Sequence, residues 1–134
     1  MALFGLAQPA FADIETLTAE AAYTRAKNGE LILIDVRTPT EWAMTGMPRD
    51  SIGATLQSAD FIARARSAVL DDLDRPIALI CRTGNRSAEA ANRLMSEGFT
   101  HVYYIAEGMA GHLGEEDGWL KRGLPTDPFL PQMR

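Results

Sequence analysis

The sequence predicts an α/β fold, a central and mostly parallel sheet flanked by helices on both faces, and two features carry that expectation. Short apolar runs, LILID (31–35), PIALI (76–80) and HVYYI (101–105), alternate with segments of helical spacing. Strands buried on both faces of a parallel sheet have that near-continuous apolar character. No internal repeat, low-complexity tract or linker interrupts the 134 residues, a length suited to one hydrophobic core.

The elements follow in order. LTAEAAYTRAKNGE (17–30) has the form of a helix, with Thr18 as its N-cap and Asn28-Gly29 as its stop. The strand LILID comes next. A short helix from Thr40 to Thr45, opened by Pro39, carries Glu41 and Trp42, and a short strand is expected from Ser51 to Ala54. From Ala59 to Leu70, the residues Phe61, Ile62, Ala65, Val69 and Leu70 recur at helical spacing and stop at an acidic turn. PIALI is the second apolar strand, its proline standing where no ladder amide is needed. Ser87 to Glu97 reads as a helix closed by Gly98. After the third strand, HVYYI, come the glycine-rich EGMAGHLG and the tail GWLKRGLP, whose Trp119 and Leu124 are expected to fold back on the core.

Composition narrows the function. Apolar residues make up 46% and charged residues 23% of the chain, as in folded globular proteins. A net charge of -5 and a pI near 5.0 exclude a broad basic face for nucleic acid, so a bound anion must be held by local groups. The acidic clusters Asp71, Asp72 and Asp74, and Glu115, Glu116 and Asp117, are expected on solvated turns. Cys81 is the single cysteine, which rules out an intramolecular disulfide or a cysteine metal cluster. His101 and His112 lack partners at ligand spacing, so no metal site is expected. Trp42, Trp119, Tyr103 and Tyr104 are expected as packing aromatics.

Residues 1–12, MALFGLAQPAFA, are apolar and end in a small-residue pattern, but lack a basic flank. They read either as a signal-peptide remnant on a periplasmic or exported protein, or as an N-terminal arm on a cytoplasmic one. The stretch falls short of the roughly 20 apolar residues of a membrane span. Residues 13–134 are expected to form the domain.

The chemistry concentrates in CRTGNRS (81–87). Cys81 follows an apolar strand directly, and Arg82 to Arg86 must curl around it before Ser87 starts a helix. Gly84 permits a backbone that turns several N–H groups inward, and the helix N-terminus adds partial positive charge. A thiolate in that cradle gains hydrogen bonds and a favourable field, and so exists at neutral pH. Arg82 and Arg86 flank it with two guanidinium groups suited to a small oxyanion. The loop thus combines a nucleophile with an anion seat, at the carboxyl edge of the strands where open α/β sheets bind ligands.

CRTGNRS resembles the active-site loop of the rhodanese family. IDVRTPTEW (34–42) is similar to the family's first motif, SAEAANRLMSEGF (87–99) to the helix behind the loop, and GWLKRGLP to its terminal tryptophan and Gly-x-Pro ending. There are departures. TGMPRDSIGA (45–54) replaces the usual Gly-His-Ile-Pro-Gly-Ala-like turn, with Met47 at the histidine-like place, and Glu107-Gly108 replaces a double glycine. The resemblance implies a rhodanese-like fold and a thiosulfate sulfurtransferase that uses a covalent cysteine persulfide at Cys81 and no metal or dissociable cofactor. It implies that Arg82, Thr83, Gly84, Asn85, Arg86 and Ser87 bind small sulfur-containing anions, with cyanide, a thiol or a thiol-bearing protein as acceptor.

Asp35 and Arg37 resemble the family's supporting pair; either Asp35 orients the loop through Arg86, or the two form a plain ion pair. Thr83 and Ser87 can bond the persulfide or cap the helix, with capping expected for Ser87. Two other functions stay open: a non-enzymatic sulfur-carrier or binding module, and a cysteine phosphatase or arsenate reductase. Those related enzymes place five residues between nucleophile and arginine, whereas here Arg82, Thr83, Gly84 and Asn85 are four. One residue adds roughly 3.3–3.6 Å of reach, so the shorter loop favours sulfur over a phosphoryl group.

Overall fold

A computed structural model describes residues 14–130. The N-terminal twelve residues, read above as a signal remnant or an arm, lie outside the described residues. Helix α1 spans Ala19–Lys27, capped as expected by the Thr18 side chain, which accepts from the Ala21 amide, and ended by Asn28. Strand β1 (Ile32–Asp35) leads into α2 (Pro39–Thr45). Here Thr38 and Glu41 form a reciprocal capping box with Pro39 in the first turn. Then follow β2 (Met47–Pro48), β3 (Ser51–Gly53), α3 (Phe61–Ala68), β4 (Ile77–Ile80), α4 (Asn85–Ser96), β5 (Val102–Tyr104) and β6 (Thr126–Asp127).

The main sheet has the order β3-β1-β4-β5, and each pairing in it is parallel. Side chains alternate across it. Ile34, Val36, Ile77 and Leu79 pack with Phe61 and Ala65 of α3 and with Ala90, Ala91 and Leu94 of α4. Leu33, Ala78 and Ile80 pack on the other face with Ala19 and Ala22 of α1, Ile105, Met109 and Trp119. Both faces are therefore covered, which is why the strands carry apolar side chains at consecutive positions.

Two features depart from the sequence reading. The strands β2 and β6 pair antiparallel in a separate ribbon, Met47 opposite Asp127 and Pro48 opposite Thr126; two residues each is too short to leave a periodic signal. Helix α4 starts at Asn85, two residues before the expected Ser87, because Gly84 adopts φ 101° and turns the chain immediately. Every β-branched or bulky residue would resist that backbone. Among the described residues, no helix is long and apolar enough to cross a membrane.

Trp119 folds back as expected: it is fully buried, donates from Nε1 to the Pro125 carbonyl at 3.0 Å and meets Tyr23 edge-on at 5.7 Å between ring centroids. Trp119→Ala is expected to lower the free energy of unfolding by about 3–5 kcal/mol, measured by denaturant titration; a loss under about 1 kcal/mol would show the tail to be dispensable.

Candidate active site

Cys81 leaves the carboxyl end of β4, and its sulfur lies at the floor of the loop that follows. The residue is only 1% exposed. The amide of Gly84 donates to Sγ at 3.1 Å and that of Ser87 at 3.3 Å. The Ser87 hydroxyl stands 3.5 Å from Sγ and donates its own proton to the Gly84 carbonyl at 3.0 Å, so toward sulfur it is an acceptor for a thiol proton. The first-turn amides of Asn85 and Arg86 have no carbonyl one turn back and add to the positive end of α4. This is an anion seat made of main chain.

A second loop braces the first. Met109 and Ala110 donate their amides to the Cys81 and Arg82 carbonyls, both at 2.9 Å. The contact is backbone on backbone. A Cβ on Gly84 would overlap the Ala106 carbonyl oxygen, and one on Gly108 would overlap that of Arg82. Glu107, buried beside them, ties this second loop to the rest of the fold. Its carboxylate accepts from the Ala19 amide at 2.6 Å, from the Gly118 amide, and from Arg122 Nε at 2.7 Å. Burial alone would raise its pKa; the bonds from Arg122, Gly118 and Ala19 outweigh that and hold it below the usual carboxylate range.

The two arginines of the loop differ. Arg86 is bound face-on by Glu41, Nη1 to Oε1 at 2.7 Å and Nη2 to Oε2 at 2.8 Å. Hydrogen bonds from Arg86 are the main reason that the Glu41 pKa falls from 4.5 to about 2, with burial opposing and the Thr38 amide assisting. Arg82 is exposed, and among the described residues its side chain makes no hydrogen bond or ion pair. Neither arginine bonds Sγ, and one of them is already occupied.

Asp35 does not orient the loop through Arg86. It accepts from Arg37 at Nε (3.0 Å), Nη2 (2.8 Å) and the backbone amide (3.0 Å), and both residues are buried. Arg37 in turn donates to Thr45 Oγ1 at 2.9 Å and the Gly46 carbonyl at 3.0 Å. The pair thus fastens the end of β1 to the end of α2, which presents Glu41 to Arg86. Ser87 is not the N-cap, as Gly84 holds that place, and its hydroxyl serves the sulfur loop instead. Thr83 and Asn85 are exposed at the rim. Glu41 and Glu107 are the two side chains that the sequence left without a site role. Thr38 and Glu41 stand at capping-box spacing, a signal available in the sequence; the partners of Glu107 are up to 88 positions away.

A cysteine loop at the carboxyl edge of a parallel sheet, with helices on both faces, is the arrangement of an α/β domain of the rhodanese-like fold. The family model described as Rhodanese-like domain matches residues 18–114, and the chain belongs to that family. An uncharacterized protein of Rickettsia prowazekii is 33% identical over 104 residues, covering 73% of this chain and 84% of its own. The polysulfide-sulfur transferase homodimer of Wolinella succinogenes superposes with TM-score 0.68 at 29% identity, covering 87% of this chain and 80% of its own. A Rhodopseudomonas palustris protein described as a possible tyrosine phosphatase reaches TM-score 0.66 at 24% identity over 94% of this chain and 100% of its own, a likeness of fold alone.

Because Glu41 has a folded pKa near 2 against an ordinary 4.5, its pair with Arg86 contributes stability above pH 4.5 and loses it as pH falls toward 2. Glu41→Gln keeps a side chain able to cap α2 but removes the charge. The variant is expected to be about 1–2 kcal/mol less stable at neutral pH, with a flatter stability profile between those two pH values in denaturant titrations. A profile parallel to the parent's would refute the assignment.

Proposed function

We propose that this chain is a sulfurtransferase that moves a sulfane sulfur from thiosulfate or a persulfide donor, through a Cys81 persulfide, to a thiophilic acceptor. The observation that supports it best is the aim of the Gly84 and Ser87 amides at Sγ. Two donors at hydrogen-bond distance stabilise a sulfur anion both as attacking thiolate and as leaving group. The thiolate attacks the outer sulfur of thiosulfate, the S–S bond breaks, and sulfite departs with the electron pair. An acceptor then takes the outer sulfur and returns the pair to Sγ. Neither half needs a metal or a dissociable cofactor.

Arg82 and Arg86 take different parts in this scheme. Arg82, exposed and uncommitted among the described side chains, receives the sulfonate or other anionic end of the donor. Arg86, bound by Glu41, keeps the turn between Gly84 and α4 in shape. Thr83 and Asn85 line the rim, and the four-residue spacing between Cys81 and Arg86 suits one sulfur better than a phosphoryl group.

Incubation with thiosulfate is expected to raise the intact mass by one sulfur atom, and Cys81→Ser is expected to abolish the gain. Cyanide should then release thiocyanate. An unchanged parent mass would contradict the proposal, and a mass gain with negligible turnover would reduce the protein to a sulfur carrier. Arg82→Ala is expected to raise the apparent KM for thiosulfate about tenfold, the loss of one charge-assisted hydrogen bond, while leaving Cys81 able to load at saturating donor; an unchanged KM would remove Arg82 from the anion site.

A further inference from the structure

We propose that Glu107 is a positioning residue for Cys81: its carboxylate holds the bracing loop against the carbonyls of the Cys81 turn, and so keeps the Gly84 and Ser87 amides aimed at the sulfur. The inference deepens the sulfurtransferase reading and rests on it for its bearing on transfer. The path from carboxylate to sulfur runs through main-chain contacts. On one side of Glu107, the Ala106 carbonyl oxygen fills the space that a Cβ on Gly84 would need. On the other side, Gly108 lies so close to the Cys81 and Arg82 carbonyl oxygens that a Cβ there would overlap both. Met109 and Ala110 then donate their amides to those same two carbonyls at 2.9 Å. In a trans peptide the N–H points opposite to the C=O, so gripping these carbonyls also fixes which way the Arg82 and Thr83 amides face. Slack in the brace would free those peptide planes, and the amides of Gly84 and Ser87 follow on the same short turn.

The carboxylate is matched to this part. Oε2 accepts from the amide of Ala19, the first residue of α1, at 2.6 Å. Oε1 accepts from the Gly118 amide and from Arg122 Nε at 2.7 Å. All three partners are donors and Glu107 is only 5% exposed, so an acceptor-only side chain satisfies every one of them. The Ala19 amide also belongs to the positive end of a helix, where negative charge is favoured. Beyond Gly118, the Trp119 amide donates to the Gly108 carbonyl at 2.9 Å and that of Leu120 to the Met109 carbonyl at 3.1 Å. One buried anion therefore joins α1, the tail and the loop that grips the Cys81 turn.

The rate at which Cys81 reacts with iodoacetamide, a neutral reagent that needs no sulfur donor, tests the proposal in the full chain. Glu107→Gln keeps the size of the side chain and turns one acceptor oxygen into a donor facing donors. The folded variant is expected to react about tenfold more slowly, the effect of roughly one lost hydrogen bond at the sulfur. Its Gly84, Ser87, Met109 and Ala110 amide resonances are expected to move with the rate. Leu31→Val disturbs a buried side chain next to the start of β1, at the sheet edge opposite Cys81, and is expected to leave rate and resonances as in the parent. Should Glu107→Gln fail to fold, Arg122→Ala decides: it withdraws one donor, keeps the carboxylate, and is expected to slow the reaction about threefold. A folded Glu107→Gln or Arg122→Ala that reacts as fast as the parent or faster would overturn the proposal, and so would equal slowing by Leu31→Val. Failure of the parent to load from thiosulfate would fall on the sulfurtransferase reading, and the iodoacetamide rates would still decide the role of Glu107.

Discussion

The amides of Gly84 and Ser87 point at the Cys81 sulfur from 3.1 and 3.3 Å, and main-chain donors reach a side chain that way only where the chain turns tightly around it. Everything near the site serves that turn. Gly84 supplies the left-handed backbone and lets Ala106 approach; Gly108 lets the second loop lie against the Arg82 carbonyl. The amides already point at Sγ with no ligand present, so in the proposed transfer a developing sulfur anion would meet dipoles aimed at it.

Charge is organised around the same turn. The chain is acidic overall, at -5, yet the amides of Gly84 and Ser87, at the N-terminus of α4, donate to the sulfur. Arg86 is neutralised by Glu41, and Arg37 by Asp35, so these guanidiniums act as fasteners between β1, α2 and the loop. A buried or half-buried arginine without its carboxylate would carry a desolvation cost with nothing to offset it. Of the two loop arginines Arg82 is the more exposed and Arg86 is the one paired to a carboxylate, so the proposed anion-binding part falls to Arg82 and the fastening part to Arg86.

Much of this was legible in the residues. Apolar runs located β1, β4 and β5; Thr18 and Pro39 marked helix starts, and Gly84 between Cys81 and Ser87 announced a tight turn. Local signals of that kind report on the backbone within one turn of themselves. The partner of Arg86 was not legible, because Glu41 lies 45 positions away and several carboxylates could have reached the loop. Glu107 read as a departure from a double glycine, and only the folded chain brings Ala19, Gly118 and Arg122 to it. The early start of α4 escaped because Asn85 and Arg86 are ordinary at either a loop or a helix position.

The central claim is that main-chain amides, more than side-chain cations, hold the sulfur anion. Amide resonances of isotope-labelled protein, recorded before and after loading with thiosulfate, test it most directly. The account predicts that the Gly84 and Ser87 amides shift furthest, together with their first-turn neighbours Asn85 and Arg86. Loading that leaves those amides unmoved while the Arg82 or Arg86 guanidinium signals shift would contradict it.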